Sequence, residues 1–217
     1  EALRKVSLLY CFELNGRIVE KGIQPMFVEI VIFNIVWHCS KSILTVKLFS
    51  KWGGAFLQTF FRYNWMVRED WYRWCEELSE EELLRNRTGG MGSILHTLFH
   101  IVDVEWSWIR LLQGKTDFQE SFDSYKGLIK VRKLDAEFHL EVENFVNSWD
   151  ASMENKLFYD TLQDGRIVTD TWGEIMRHTI AHEIHHIGQL SIWARELGKK
   201  PVSANLIGRG LSSHSNK

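Results

Sequence analysis

Proline is nearly absent from this chain, with two in 217 residues, so little in it interrupts a long helix. Cysteine is scarce as well: Cys11, Cys39 and Cys75 are an odd number, widely separated, with no CxxC. That argues against a disulfide framework or a cysteine-based zinc site and fits a reducing, cytoplasmic compartment. No apolar run reaches the roughly 18 residues of a membrane span. Charge of one sign is missing too. The net charge is −2 and no long basic stripe occurs, which argues against a nucleic-acid partner. What is present is 45% hydrophobic and 25% charged residues with ten tryptophans. This is the composition of a globular protein whose core or cavity is rich in large rings. The length suits one domain plus an appendage.

The appendage is residues 1–54. Its most apolar stretch, Met26–Trp37 (MFVEIVIFNIVW), is β-branched, short and interrupted by Glu29. It lies too far from the N-terminus, behind acidic residues, to read as a secretory signal. Three readings stand open: a hydrophobic segment docked on the domain, a poorly folding appendage, or a reading frame extended upstream of the natural start, since position 1 is not Met. Gly53-Gly54 marks the break before the main domain.

From Ala55 the pattern turns helical. Phe56, Phe60, Tyr63, Val67, Trp71, Trp74 and Leu78 recur at steps of three and four, the stripe of a long first helix. Ser79 with Glu82 reads as a capping box. Gly89-Gly90-Met91-Gly92 is a loop, Ser93 caps a second helix running to about Gln113, and Gly114 ends it. A third helix is expected from about Leu134 to Met153, on Phe138, Val142, Phe145, Val146 and Trp149. Leu157–Thr171 breaks the period, with Asp164-Gly165 as a hairpin turn. A fourth helix runs from about Trp172 to Leu197, with Gly198 as its stop. Four helices and one small hairpin before the last make an all-α bundle over residues 55–211, with a tail at 212–217.

The chemistry lies on the second and fourth helices. The fourth carries HTIAHEIHHIGQ, His178 to Gln189, with four of the nine histidines in nine residues. His178, His182 and His186 share a face at four-residue spacing, while His185 is turned about 100° from His186. Two imidazoles at i and i+4 can meet one ion, the geometry of HxxxH metal motifs. A third ligand must come from another element, and the second helix offers His96 and His100, one turn apart. Either one, on a stripe with Leu95, Leu98, Phe99 and Val102, reads as a ligand or as a hydrogen-bonded core residue.

The run His96–Trp108 (HTLFHIVDVEWSW), then His178–Gln189, then the ending Leu197-Gly198…Pro201…Leu206-Ile-Gly-Arg-Gly-Leu211 resembles the DinB superfamily (DinB/YfiT-like metalloenzymes). The resemblance covers roughly residues 56–211. It implies an up-down-down-up four-helix bundle whose divalent metal ion (Zn, Ni, Fe or Mn) sits on His100, His182 and His186. It assigns no metal bond to His178 or His96. The family often has Arg after the last histidine. Ile187 stands there instead, a change expected to alter the surroundings more than the ligand set. Asp103 and Glu105 read either as carboxylates orienting the ligand imidazoles or as solvated helix charges. Gln189 reads as a partner for a metal-bound water, and Trp106, Trp108, Trp172 and Trp193 as packing aromatics.

Three protein ligands with open positions belong to catalytic sites. The resemblance implies metal-dependent S-transferase or isomerase chemistry on a low-molecular-weight thiol and a small electrophilic substrate. That needs no protein nucleophile, and the chain shows no Ser-His-Asp or Cys-His signature. The alternative is a non-catalytic metal-binding stress-response protein, the family name reflecting damage-inducible expression. A homodimer is expected, with no membrane partner. Residues 1–54 are expected to supply no ligand. A chain shortened to residues 55–217 should therefore keep the metal content of the full chain by elemental analysis. Loss of folding by circular dichroism would show instead that the apolar segment completes the core.

Overall fold

The computed structural model describes residues 56–117, 120–161 and 164–211. The expected N-terminal extension 1–54, with Cys11, Cys39 and Met26–Trp37, lies outside the described residues, as does the tail 212–217. The described helices are α1 (56–75), α2 (Glu80–Leu84), α3 (Ile94–Leu112), α4 (Leu128–Asn147) and α5 (Trp172–Glu196). A 3₁₀ turn, Phe122–Tyr125, precedes α4, and a hairpin, β1 (Leu157–Thr161) and β2 (Ile167–Thr171), precedes α5. Among the described residues no helix is long and apolar enough to cross a membrane.

Side-chain caps set the starts. Ser79 accepts from the Glu82 amide and Ser93 from the His96 amide at 3.2 Å. Thr171 and Glu174 form a reciprocal capping box that turns the chain from β2 directly into α5. The hairpin is antiparallel, with Leu157 opposite Thr171 and Thr161 opposite Ile167. In its turn Gly165 has φ +82°, and Asp164 Oδ1 accepts from the Arg166 amide.

Two expectations need correction. The third long helix spans Leu128–Asn147, about six residues earlier than the pattern implied. Its start lacks a side-chain cap, because Gly127 is the N-cap residue. Its end is tightened where Ser148 Oγ donates to the Phe145 carbonyl. Trp149 is buried beyond the helix, not on it. The inward stripe of α1 keeps Tyr63, Val67 and Trp71 of the expected one but departs from it at the start and takes in a neighbouring row. Phe56 is 68% exposed, while Leu57, Phe61, Tyr72 and Cys75 face inward.

The apolar interior consists of two clusters. One gathers Val67, Trp71, Leu95, Leu98, Val102, Val131, Leu134, Leu190 and Trp193. The other gathers Leu57, Phe61, Ile109, Val142, Val146, Ile175 and Met176. Helix α1 runs from the second to the first, α3 and α4 from the first to the second, and α5 from the second back to the first. The four long helices are thus up, down, down and up, and α4 begins at the end of the bundle opposite the one where α3 stops.

Between the clusters lies a polar layer with one member from each long helix. Arg68 of α1 is 2% exposed. It bonds Glu183 of α5 through Nε (3.0 Å) and Nη2 (2.6 Å). Its Nη1 reaches Glu105 of α3 at 3.0 Å and Asp135 of α4 at 2.9 Å. Trp65 Nε1 donates to Glu105 and the Tyr72 hydroxyl to Asp135. Burial disfavours the guanidinium charge, but the carboxylates of Glu105, Glu183 and Asp135 outweigh it and hold Arg68 protonated. Burial also pushes the Glu183 carboxyl up to about 7 against the pull of Arg68, and Glu105 and Asp135 add to the rise.

Removing the one cation leaves three interior carboxylates facing each other. Arg68→Met should destabilise the fold by about 3–5 kcal/mol near pH 8. The loss should shrink toward pH 5. Without Arg68 the folded carboxyl pKa values lie above their unfolded ones, so the folded state takes up more protons as pH falls and gains relative stability. Urea titrations of both proteins at the two pH values read the difference. An equal loss at both would show that the carboxylates do not act as one unit.

Candidate metal centre

His100 faces α5 from the second turn of α3, and His182 and His186 face α3 from one side of α5. His182 Nε2 lies 3.1 Å from His100 Nε2 and 3.1 Å from His186 Nε2. Among the described residues these three form the group of His, Cys, Asp and Glu donors able to hold an ion, with donor atoms within 4.8 Å of one another. The rings stand edge to face, with centroids 4.5 to 5.0 Å apart. His186 is buried and the other two are half-buried.

The electrostatics suit a ligand set. Burial, then His186 and His96, lowers the His100 pKa to about 4. Burial, then His186 and His100, lowers that of His182 to about 3. Burial also lowers His186. Three imidazoles this close are neutral at pH 7, the protonation state in which imidazole binds a metal. Three neutral nitrogens aimed at one point fit a borderline divalent ion.

The neighbouring residues have other partners. His96 stacks on Phe122 with centroids 4.2 Å apart and planes 5° apart, so it packs and does not ligate. His178 is exposed, edge-on to Trp108, with its ring 6.0 Å from that of His182. Glu105 orients no imidazole and is not a solvated charge, because it belongs to the Arg68 layer. Asp103 accepts from Ser107, and burial followed by Asp117 raises its pKa. Trp106 lies flat on Phe138 at 3.8 Å, with the Arg110 guanidinium 4.4 Å from its ring, an aromatic of the packing. Ile187 is buried with Leu190 and Trp193. A cavity of about 270 Å³ is lined by Trp108, Asp170, Glu174, Ile175 and His178, and none of the three triad histidines is in its lining.

Gln189 differs from its expected role. Its Oε1 lies 2.8 Å from His186 Nδ1 and its Nε2 lies 2.9 Å from His185 Nε2. It therefore binds ring nitrogens on the side of His186 away from the centre. Sequence reasoning also missed Arg68, Asp135 and Glu183. For Glu183 a signal was available, since it stands three residues after Ile180 and four before Ile187, on the inward face of α5.

Fold and site together define a four-helix-bundle protein with a three-histidine centre, one histidine from the second long helix and two from the last. The DinB family model matches residues 50–210, and the chain belongs to the DinB family. It is also 50% identical over 155 residues to the uncharacterized protein YizA of Bacillus subtilis (strain 168), covering 71% of this chain and 96% of that protein.

The lowered histidine pKa values carry a sign. Below the unfolded value of 6.5 the unfolded chain takes up protons that the folded triad refuses. Stability of the metal-free protein should be fully present above that pH and fall as pH drops toward about 4 and about 3. Urea midpoints of chelator-treated protein across this range should fall more steeply for the wild type than for His182→Gln. Parallel curves would show that the triad does not resist protonation.

Proposed function

We propose that His100, His182 and His186 hold one divalent metal ion, and that the protein uses it on a low-molecular-weight thiol in S-transfer to, or isomerisation of, a small electrophilic substrate. The observation that carries the metal reading is the convergence of three neutral Nε2 atoms from two helices. Three protein donors leave coordination positions for an exogenous group, the pattern of catalytic and not structural sites. The thiol reading rests on the family and on the absence, among the described residues, of a cysteine at the triad. Cys75 is buried, with its thiol pushed up to about 12 by burial and then Glu76, so it stays protonated.

When bound, a divalent ion lowers the pKa of a thiol placed on it and so supplies a thiolate at neutral pH. The chain's own residues do the rest. His100 joins α3 to the pair on α5 and fixes the three nitrogens in space. The cavity beside His178 has room for a small substrate against the Trp108 ring.

The test is elemental analysis of protein purified without a metal-affinity tag, then transfer assays with several thiols. His100→Ala, His182→Ala and His186→Ala should each lose the ion, since two histidines rarely hold a first-row ion against water and buffer. His96→Ala and His178→Ala should keep it. Circular dichroism confirms that the helices persist. Full retention by His186→Ala would remove the triad. Metal bound stoichiometrically, with no turnover of any thiol, would leave a non-catalytic metal-binding protein.

A further inference from the structure

We infer that Gln189 is the positioning residue of the triad and that Gly90, from the loop before α3, holds Gln189 in place. The inference rests on the metal reading above and adds two residues to it. An amide oxygen only accepts and an amide nitrogen only donates. At the 2.8 Å contact the proton therefore sits on His186 Nδ1, and the His186 Nε2 lone pair faces His182 and His100. At the 2.9 Å contact the Gln189 amide donates to His185 Nε2. The chain runs one way, from His186 through Gln189 to His185. Turned end for end, the amide would donate to His186 Nδ1. The ring proton would then move to Nε2, where the ion must bind.

Gly90 closes on this relay from the α2–α3 side. Its φ is +54°, and a Cβ there would come 2.7 Å from Gln189 Oε1 and 2.9 Å from Trp193 Cη2. Trp193 Nε1 donates to the Thr88 carbonyl at 3.2 Å, which ties the same loop to α5. The atom that a methyl group would displace is thus the one that holds the His186 proton. A flexible amide yields more readily than backbone, so the response to Gly90→Ala is movement of Gln189. Gly89 supplies the control: its φ is +84° and nothing lies within 4 Å of its would-be Cβ. An alanine there brings backbone strain without the contact.

The experiment measures two quantities on wild type, Gln189→Leu, Gln189→Glu, Gly90→Ala and Gly89→Ala. One is the zinc dissociation constant by chelator competition. The other is the ¹⁵N NMR signature of the His186 tautomer in metal-free protein. Circular dichroism checks each fold. The wild type should show the Nδ1–H tautomer. Gln189→Leu should lose it and weaken zinc by roughly 10–100-fold. Gln189→Glu should restore both, because a carboxylate accepts the same bond. Gly90→Ala should fall between wild type and Gln189→Leu, while Gly89→Ala binds zinc as the wild type does. Equal zinc affinity and an unchanged tautomer in Gln189→Leu would overturn the relay and leave the metal reading intact. Matching behaviour of Gly90→Ala and Gly89→Ala would overturn the role of Gly90. A wild type that holds the tautomer but binds no zinc would remove the metal reading, and the positioning role with it.

Discussion

The contact on which the bundle most depends is the guanidinium of Arg68 among Glu105, Asp135 and Glu183. It joins all four long helices at one level and divides the apolar core into two clusters. Hydrophobic packing tolerates sliding and rotation of helices far better than a five-donor fork with three acceptors does. A rotation of α5 by one residue, about 100°, would withdraw Glu183 and leave a buried charge unpaired. Buried ion networks often contribute little net stability against an apolar replacement. Loss of one partner is what costs several kcal/mol. The layer therefore acts mainly on register, and register is what a metal site assembled from two helices requires.

Much of this was legible in the sequence, for identifiable reasons. Ser93, Gly114, Asp164-Gly165 and Gly198 are residues whose backbone and side-chain preferences act locally, so the element ends they mark appear where expected. The helix over Leu128–Asn147 was misplaced because its ends carry weaker signals. Gly127 has no side chain to cap with, and Trp149 extends the apolar period past the true end by burying itself from a turn. On α1 the large rings set the expected stripe. Phe56 is exposed, however, and the inward face is shared with Asn64 and Arg68, which a search for apolar residues passes over.

The same asymmetry applies to the site. The i and i+4 spacing of His182 and His186 is a property of one helix, and His100 was singled out by family resemblance. The roles of Glu105 and Gln189 depend on which partners approach from other elements, and a single helix does not specify that. Glu105 is near His100 in the chain, yet its side chain turns toward α1. Gln189 lies three residues after His186 and four after His185, so it touches both on one side of the helix. Spacing alone leaves open whether such a residue faces the ion or the outside. The loop carrying Gly90 lies close against it, since a Cβ on Gly90 would come 2.7 Å from Gln189 Oε1.

The two 3.1 Å separations within the triad are of different kinds. His182 to His186 is set inside α5 and survives any rigid movement of that helix. His100 to His182 crosses from α3 to α5 and is only as constant as their packing. The Arg68 layer spans the same two helices through Glu105, five residues after His100, and Glu183, next to His182. A shift that opened the cross-helix pair by 1 Å would also stretch charge-assisted bonds of 2.6 to 3.0 Å in a desolvated interior. The apolar clusters on either side exclude the water that would otherwise compete for those bonds. The rigidity of the candidate centre thus originates in a part of the bundle that carries none of its three ligands.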